Sequence, residues 1–226
     1  MGKGVHGAVD RLEDFARKLS GNNRKTIYAL KCDIRKFFDS IDKEILLRVI
    51  KTKIKDKDTL WLILEILNSF SKELRRGLPL GNVVSQLFAN IYLNELDQYI
   101  KHFLKARYYL RYCDDFIILG LGHEPYELME LAYKINQFLK EHLKLSLHPN
   151  KIILRKYRQG IDFLGYVVLP HYRVVRTKTK RRIIKKIIGN SNKQSLASYL
   201  GILSHSNSHE LEKEIIWLSG LAEIRF

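Results

Sequence analysis

The sequence predicts an α+β fold: a mixed unit runs to about Pro170–His171, and a small, basic, helical unit follows. Three observations carry this reading. The chain has 226 residues, 46% of them hydrophobic and 28% charged, enough to bury a core without disulfides or metal staples. Up to residue 170, short apolar runs of strand length alternate with amphipathic helical stretches. Between Asp162 and Glu210 no acidic residue occurs, while nine basic ones do.

Each element follows from local pattern. Leu12, Phe15, Ala16 and Leu19 give a short amphipathic helix over Val9–Leu19, broken by Gly21, Asn22 and Asn23. Ile27–Ile34 reads as a buried strand. Asp39, Ser40 and Asp42 form a turn and a helix N-cap, and helices follow at Lys43–Lys53 and Lys57–Phe70. Arg75–Asn82 is a loop with Gly77, Pro79 and Gly81. From Val83 the apolar positions Val84, Leu87, Phe88, Ile91, Leu96, Ile100 and Phe103 predict a long helix against a core. Tyr108–Leu119 reads as a β-hairpin with Asp114 and Asp115 at its tip. Another amphipathic helix covers Glu124–Leu143. Short strands follow near Lys151–Leu154, Asp162–Val168 and Tyr172–Val175, and the remainder is helical with breaks near Gly189–Asn192 and Ser204–Ser208.

Composition narrows the function. Lys plus Arg number 40 against 24 for Asp plus Glu, a formal net charge of +16. This favours a polyanionic partner, nucleic acid first and an anionic membrane surface second. Two cysteines, Cys32 and Cys113, exclude a disulfide-rich secreted scaffold and point to a reduced, cytoplasmic setting. No run of about 18 apolar residues exists, so no membrane span is expected. Met1–Asp10 has no apolar stretch, so no signal peptide is expected either.

The carboxylates narrow it further. Asp114 and Asp115 separate two apolar strands, and a polar hairpin tip alone accounts for them. Asp33 adds a second acid, at the exit of the Ile27–Cys32 strand; a cap for the next turn is its alternative reading. Neighbouring strands would bring Asp33 and Asp114 to one sheet edge. Clustered carboxylates repel and need a counter-charge, which magnesium supplies using a few carboxylates and substrate phosphates. Two such ions about 4 Å apart clamp the attacking and leaving oxygens of an in-line displacement. A basic protein with such a cluster is a candidate for phosphoryl transfer on nucleic acid.

Five segments stand in order: Asp33–Asp42, Gly77–Leu93, Tyr112-Cys113-Asp114-Asp115 between apolar strands, Leu145–Lys151 and Ile161–Tyr166. Together they resemble the bacterial reverse transcriptases of the group II intron-like and diversity-generating retroelement type. The first resembles the first catalytic motif, the second the loop and helix under the incoming nucleotide, and the third the YxDD signature. The fourth resembles a later palm motif with its lysine, and the fifth the primer grip. Motifs of the family's N-terminal fingers have no counterpart. Leu80-Gly81 and Ser85-Gln86 stand where most group II enzymes resemble QG and SP, and this variant is similar to the diversity-generating enzymes, which copy a template RNA and err at template adenines. The resemblance implies that the residue at position 80 would face the nascent base pair, where an aliphatic Leu80 would loosen discrimination, unless it is a neutral substitution.

The resemblance implies a right-hand polymerase: residues 1–26 a remnant of the fingers and palm entry helix, 27–170 a palm with an antiparallel sheet and packed helices, and 171–226 a basic helical thumb. It implies an RNA-directed DNA polymerase working by two-metal nucleotidyl transfer. Asp33 and Asp114 would hold two Mg2+ ions (or Mn2+), helped by the backbone carbonyl of Ile34, and Asp115 would complete the cluster. Arg35, Lys36, Phe37, Phe38, Leu80, Gly81, Gln86 and Lys151 would bind the nucleotide. Phe38 stands where the family places an aromatic gate against a ribose 2′-hydroxyl; core packing is the other reading of Phe37 and Phe38. Lys151 would serve the leaving pyrophosphate, unless it is a surface lysine. Phe163, Leu164 and Gly165 would form the primer grip. Arg173, Arg176, Lys178, Lys180, Arg181, Arg182, Lys185 and Lys186 would track template–primer phosphates, or form the solvated face of an amphipathic helix. The implied partners are template RNA, DNA primer, deoxynucleoside triphosphates and an accessory protein, with no membrane. Two alternatives stand beside this: a catalytically impaired nucleic-acid-binding fragment or subunit that needs separate fingers, and a group II intron maturase-like protein.

Overall fold

The computed structural model describes residues 4–69, 76–79, 81–122, 125–190 and 193–218, and it is of the expected mixed α+β class. Its described residues fall into two compact units, Tyr28–Leu154 and the combination of Met1–Ile27 with Arg155–Phe226. Helix α1 (Val5–Ser20) begins four residues before the expected start and buries Val9, Leu12 and Ala16.

The Tyr28–Leu154 unit is built on a sheet. Strands β1 (Ile27–Asp33), β2 (Tyr109–Tyr112), β3 (Asp115–Leu121) and β4 (Ile153–Lys156) stand in the order β2-β3-β1-β4. β2 and β3 are antiparallel, with Tyr109 opposite Ile118, Arg111 opposite Phe116 and Tyr112 opposite Asp115. The period of two sorts their side chains. Leu30, Cys32, Ile34, Tyr109, Phe116 and Ile118 join the main core, while Lys31, Asp33 and Asp115 take the alternate positions.

Helices pack on the core face. Helix α2 (Phe37–Ser40) is a single turn that sinks Phe37. Helix α3 (Lys43–Lys53) matches the expected limits, and Asp42 caps it by accepting from the amides of Glu44 (3.0 Å) and Ile45 (3.1 Å). The other carboxylate oxygen of the buried Asp42 accepts from Lys144 Nζ at 2.6 Å. The Asp42 amide donates to the Tyr92 hydroxyl, which donates in turn to the Leu143 carbonyl at 2.7 Å. This node joins the start of α3 to α5 (Val83–Gln98) and to the end of α6 (Pro125–Leu143). Helix α4 spans Lys57–Ser69.

The core stripe of α5 differs from the expected one. Ser85, Phe88, Ala89, Tyr92, Leu93 and Leu96 are buried, whereas Leu87 and Phe103 are exposed. A π-helical turn, Tyr99–Phe103, explains the second miss. The wider turn breaks the 3.6-residue period, so Phe103 leaves the stripe while Ile100 stays in it.

In the other unit, β5 (Ile161–Phe163), β6 (Tyr166–Val168) and β7 (Arg173–Val175) form an antiparallel sheet. The single strand expected over Asp162–Val168 is a hairpin instead. Leu164 and Gly165 turn it, both at positive φ (51° and 92°), with Phe163 opposite Tyr166. Helices α7 (Thr177–Asn190), α8 (Lys193–Leu203) and α9 (His209–Leu218) complete the unit. No helix among the described residues is long and apolar enough to cross a membrane.

Candidate active site

The acids stand at strand ends. Asp33 closes β1, Asp114 lies in the two-residue turn between β2 and β3, and Asp115 opens β3. Asp33 Oδ2 meets Lys151 Nζ at 2.9 Å, and Asp115 Oδ2 meets Lys31 Nζ at 3.1 Å. Burial pushes the Asp115 carboxyl up to about 6; Lys31 opposes this, while the negative charges of Asp33 and Asp114 add to it. Asp114 is raised as well, first by burial, against a hydrogen bond to its own backbone and with Asp33 again repelling it. The three carboxylates are therefore close enough to act on one another electrostatically.

Among the described residues no three His, Cys, Asp or Glu side chains are gathered in metal-ligating geometry. Lys151 and Lys31 supply the local counter-charge. The donor chemistry nonetheless fits a hard divalent cation: the acids offer carboxylate oxygens, and Asp115 Oδ1 is buried with no hydrogen-bond partner. Ile34 forms an antiparallel bridge with Leu147, flanked by Arg35 N–H donating to the Ser146 carbonyl and His148 N–H donating to the Asp33 carbonyl. In such a widely spaced pair the central residue turns its own N–H and C=O away from the partner segment.

The residues expected to bind the nucleotide begin directly after Asp33. Arg35 and Lys36 are exposed, and Lys36 adopts a positive φ of 44°. Phe37 is in the core, 2% exposed, whereas Phe38 is half-buried with its ring centroid 5.2 Å from that of Phe37. Residues 76–79 pack on this segment. Gly77 N–H donates to the Ile41 carbonyl (2.9 Å) and Leu78 N–H to the Phe38 carbonyl (2.8 Å). Gly81 and Gln86 are exposed, and Leu80 lies outside the described residues. Lys151 sits in a short 3-10 turn, two residues before β4.

Phe163, Leu164 and Gly165 belong to the other unit, where Phe163 is fully buried and Leu164-Gly165 form the hairpin turn. The expected phosphate-tracking residues divide in two. Arg173 is mostly buried: it pairs with Asp10 at 2.7 Å and donates to the His205 carbonyl. Arg176 pairs with Asp162 at 3.1 Å. Both guanidinium groups are thus engaged inside their own unit. Lys180 meets Glu214 at 3.1 Å. Lys178, Arg181, Arg182, Lys185 and Lys186 are exposed on α7, opposite the buried Thr179, Ile183 and Ile187.

Sequence reasoning missed Lys31, Arg111 and Asp97. Lys31 was discoverable, since it shares a strand face with Asp33 two residues on. Arg111 and Asp97 gave no signal, because fourteen residues and a change of element separate them.

Comparison with known proteins gives the family and the fold. Residues 5–168 match the family described as reverse transcriptase (RNA-dependent DNA polymerase). The COX1/OXI3 intron 2 protein of Saccharomyces cerevisiae is 26% identical over 200 residues, covering 62% of this chain and 23% of that protein. YkfC of Escherichia coli is 23% identical over 216 residues, covering 78% and 55%. The group II intron-encoded protein LtrA of Lactococcus lactis is 26% identical over 217 residues, covering 66% and 35%. The chain thus spans from about a quarter to just over half the length of these relatives. Among solved structures, telomerase from Candida albicans in complex with a TWJ fragment of telomeric RNA shares the fold, with a TM-score of 0.62 and 15% identity over 94% of this chain and 42% of that one.

Proposed function

We propose that this chain, which belongs to the reverse transcriptase family, is an RNA-directed DNA polymerase that extends a DNA primer on template RNA with deoxynucleoside triphosphates. The placement of Asp33 at the end of β1, Asp115 at the start of the neighbouring β3 and Asp114 in the turn before it carries the reading. Burial, with their mutual repulsion added, raises the carboxyls of Asp114 and Asp115. These acids, with the Ile34 carbonyl, would hold two magnesium ions or manganese in their place. When bound, the ions supply positive charge at the attacking and leaving oxygens.

The chain's own residues do the positioning. Lys151, half-exposed on Asp33, would give the leaving pyrophosphate a proton or a positive charge. Phe38 offers a half-buried ring to exclude a ribose 2′-hydroxyl, and Phe37 serves the core. Arg35 and Lys36 present exposed cations to phosphate, and the exposed Gly81 and Gln86 would face the base-pair side. Phe163–Gly165 supports the primer. Lys178, Arg181, Arg182, Lys185 and Lys186 form a stripe for backbone phosphates, a contact that carries no sequence information. Residues 27–170 act as palm and 171–226 as thumb, in the cytoplasm, with an accessory protein as a further partner.

The diversity-generating subtype rests on Leu80-Gly81 and Ser85-Gln86. The intron-encoded relatives favour a maturase-like role as the second reading. Primer extension on an RNA template with magnesium tests the activity: Asp114→Ala is expected to bring extension below detection while duplex binding persists. Extension by that variant would overturn the assignment. A folded wild-type chain that binds template–primer without extending it would leave the reading of a binding subunit completed by another polypeptide.

A further inference from the structure

The Asp114 turn is gripped from the sheet face opposite to Asp115. Arg111 pairs across the hairpin with Phe116, a core residue, so its side chain leaves on the helix-packed face. There it forms a fork on Asp97 of α5, Nε to Oδ1 at 2.9 Å and Nη2 to Oδ2 at 2.7 Å. Its remaining nitrogen, Nη1, donates to the Cys113 carbonyl at 2.9 Å and to Asn90 Oδ1, also on α5, at 3.2 Å. The Tyr109 hydroxyl donates to the same Asp97 oxygen at 2.6 Å. The Arg111 side chain is only 10% exposed.

Two features make this more than a buried ion pair. Cys113 sits at φ 54°, a conformation that costs a non-glycine residue energy, and it immediately precedes Asp114. Asn82 caps helix α5, its side chain accepting from the Val84 amide, so the first turn of the helix carries Gln86 of the nucleotide segment. One planar guanidinium therefore spans the acid-bearing turn and the nucleotide-bearing helix. A lysine, with a single nitrogen at its tip, cannot reproduce the fork and the carbonyl contact together.

We propose that Arg111, seated by Asp97, is a positioning residue that locks the carboxylate turn to α5, so that acids and nucleotide segment keep one register. The proposal rests on the polymerase reading above, and small displacements of this kind cost about 10²-fold in rate.

The test uses the full chain carrying Arg111→Lys, Asp97→Asn and the milder Asn90→Ala and Tyr109→Phe. Three quantities are read: kcat and KM for the deoxynucleotide, the magnesium concentration at half-maximal rate, and amide hydrogen exchange of residues 112–115 without nucleic acid. For Arg111→Lys the expected result is a kcat loss of about 10²-fold, a raised magnesium midpoint, and faster exchange confined to the turn, with template–primer affinity within about threefold. Asp97→Asn should follow it, and the two milder variants should show the same pattern at smaller size. Unchanged exchange and a kcat within about threefold in Arg111→Lys would overturn the proposal. If Arg111→Lys does not fold, the milder variants decide: a kcat and magnesium midpoint equal to wild type would overturn it. If wild type shows no extension, the polymerase reading fails, while the exchange data still decide whether Arg111 holds the turn.

Discussion

Two hairpins of this protein have the same turn length and different ways of holding it. The turn between β2 and β3 places Cys113 at positive φ with no glycine to ease it. The turn between β5 and β6 pairs Leu164, also at positive φ, with Gly165. The first is secured by a buried guanidinium on the Cys113 carbonyl. The second is secured by backbone alone: Gly165 takes a conformation that other residues resist, and its carbonyl accepts from the Arg176 amide at 2.9 Å. The carboxylate turn takes its precision from packing and not from its own torsions. A glycine hairpin is set by its own torsions, whereas the acid hairpin is set by a helix that must be in place.

The largest effect is expected at the buried charge. Arg111→Met strips the fork from Asp97 and leaves that carboxylate uncompensated, so we expect a loss of about 3–5 kcal/mol in urea unfolding. Gly165→Ala attacks the other hairpin through its torsion, and thermal or urea unfolding should show a smaller loss of about 1–2 kcal/mol. Leu164→Asn sharpens the contrast in the opposite direction. Asn-Gly suits a turn with two positive φ angles, and a gain of roughly 0.5 kcal/mol is expected from the same assay. The smallest effect concerns the thiols. Burial pushes Cys32 up to about 12, so it carries almost no thiolate at pH 8, whereas Cys113 is partly accessible. Alkylation of the folded protein at pH 8, followed by peptide mass mapping, should modify Cys113 alone.

The carboxylates were legible because strand ends expose polar residues against an apolar background, and Asp33, Asp114 and Asp115 break theirs sharply. The limits of α3 were legible because Asp42 caps it with its own side chain. The β5–β6 turn was hidden because leucine rarely adopts positive φ, so Phe163-Leu164-Gly165-Tyr166 reads as continuous strand. The α5 stripe was misassigned where the π-helical turn changes the period. The engagement of Arg173 and Arg176 was invisible for a different reason. A basic run looks alike whether its cations face solvent or meet Asp10 and Asp162 across the fold. Sequence reveals the kind of charge, and only tertiary packing reveals its address.

The Asp42 node gives the molecule an acid-sensitive latch. Burial pushes this carboxyl up, but Lys144 and the two amides of α3 outweigh burial and hold it below the ordinary carboxylate value. Its contribution is then complete above the unfolded value of about 3.9 and drains away as pH falls through the lower, folded one. A single proton taken up there releases Lys144, uncaps α3 and weakens the seam that Tyr92 stitches to the end of α6. Only strongly acid medium, in which ordinary carboxylates are already protonated, would therefore loosen three helices at this seam.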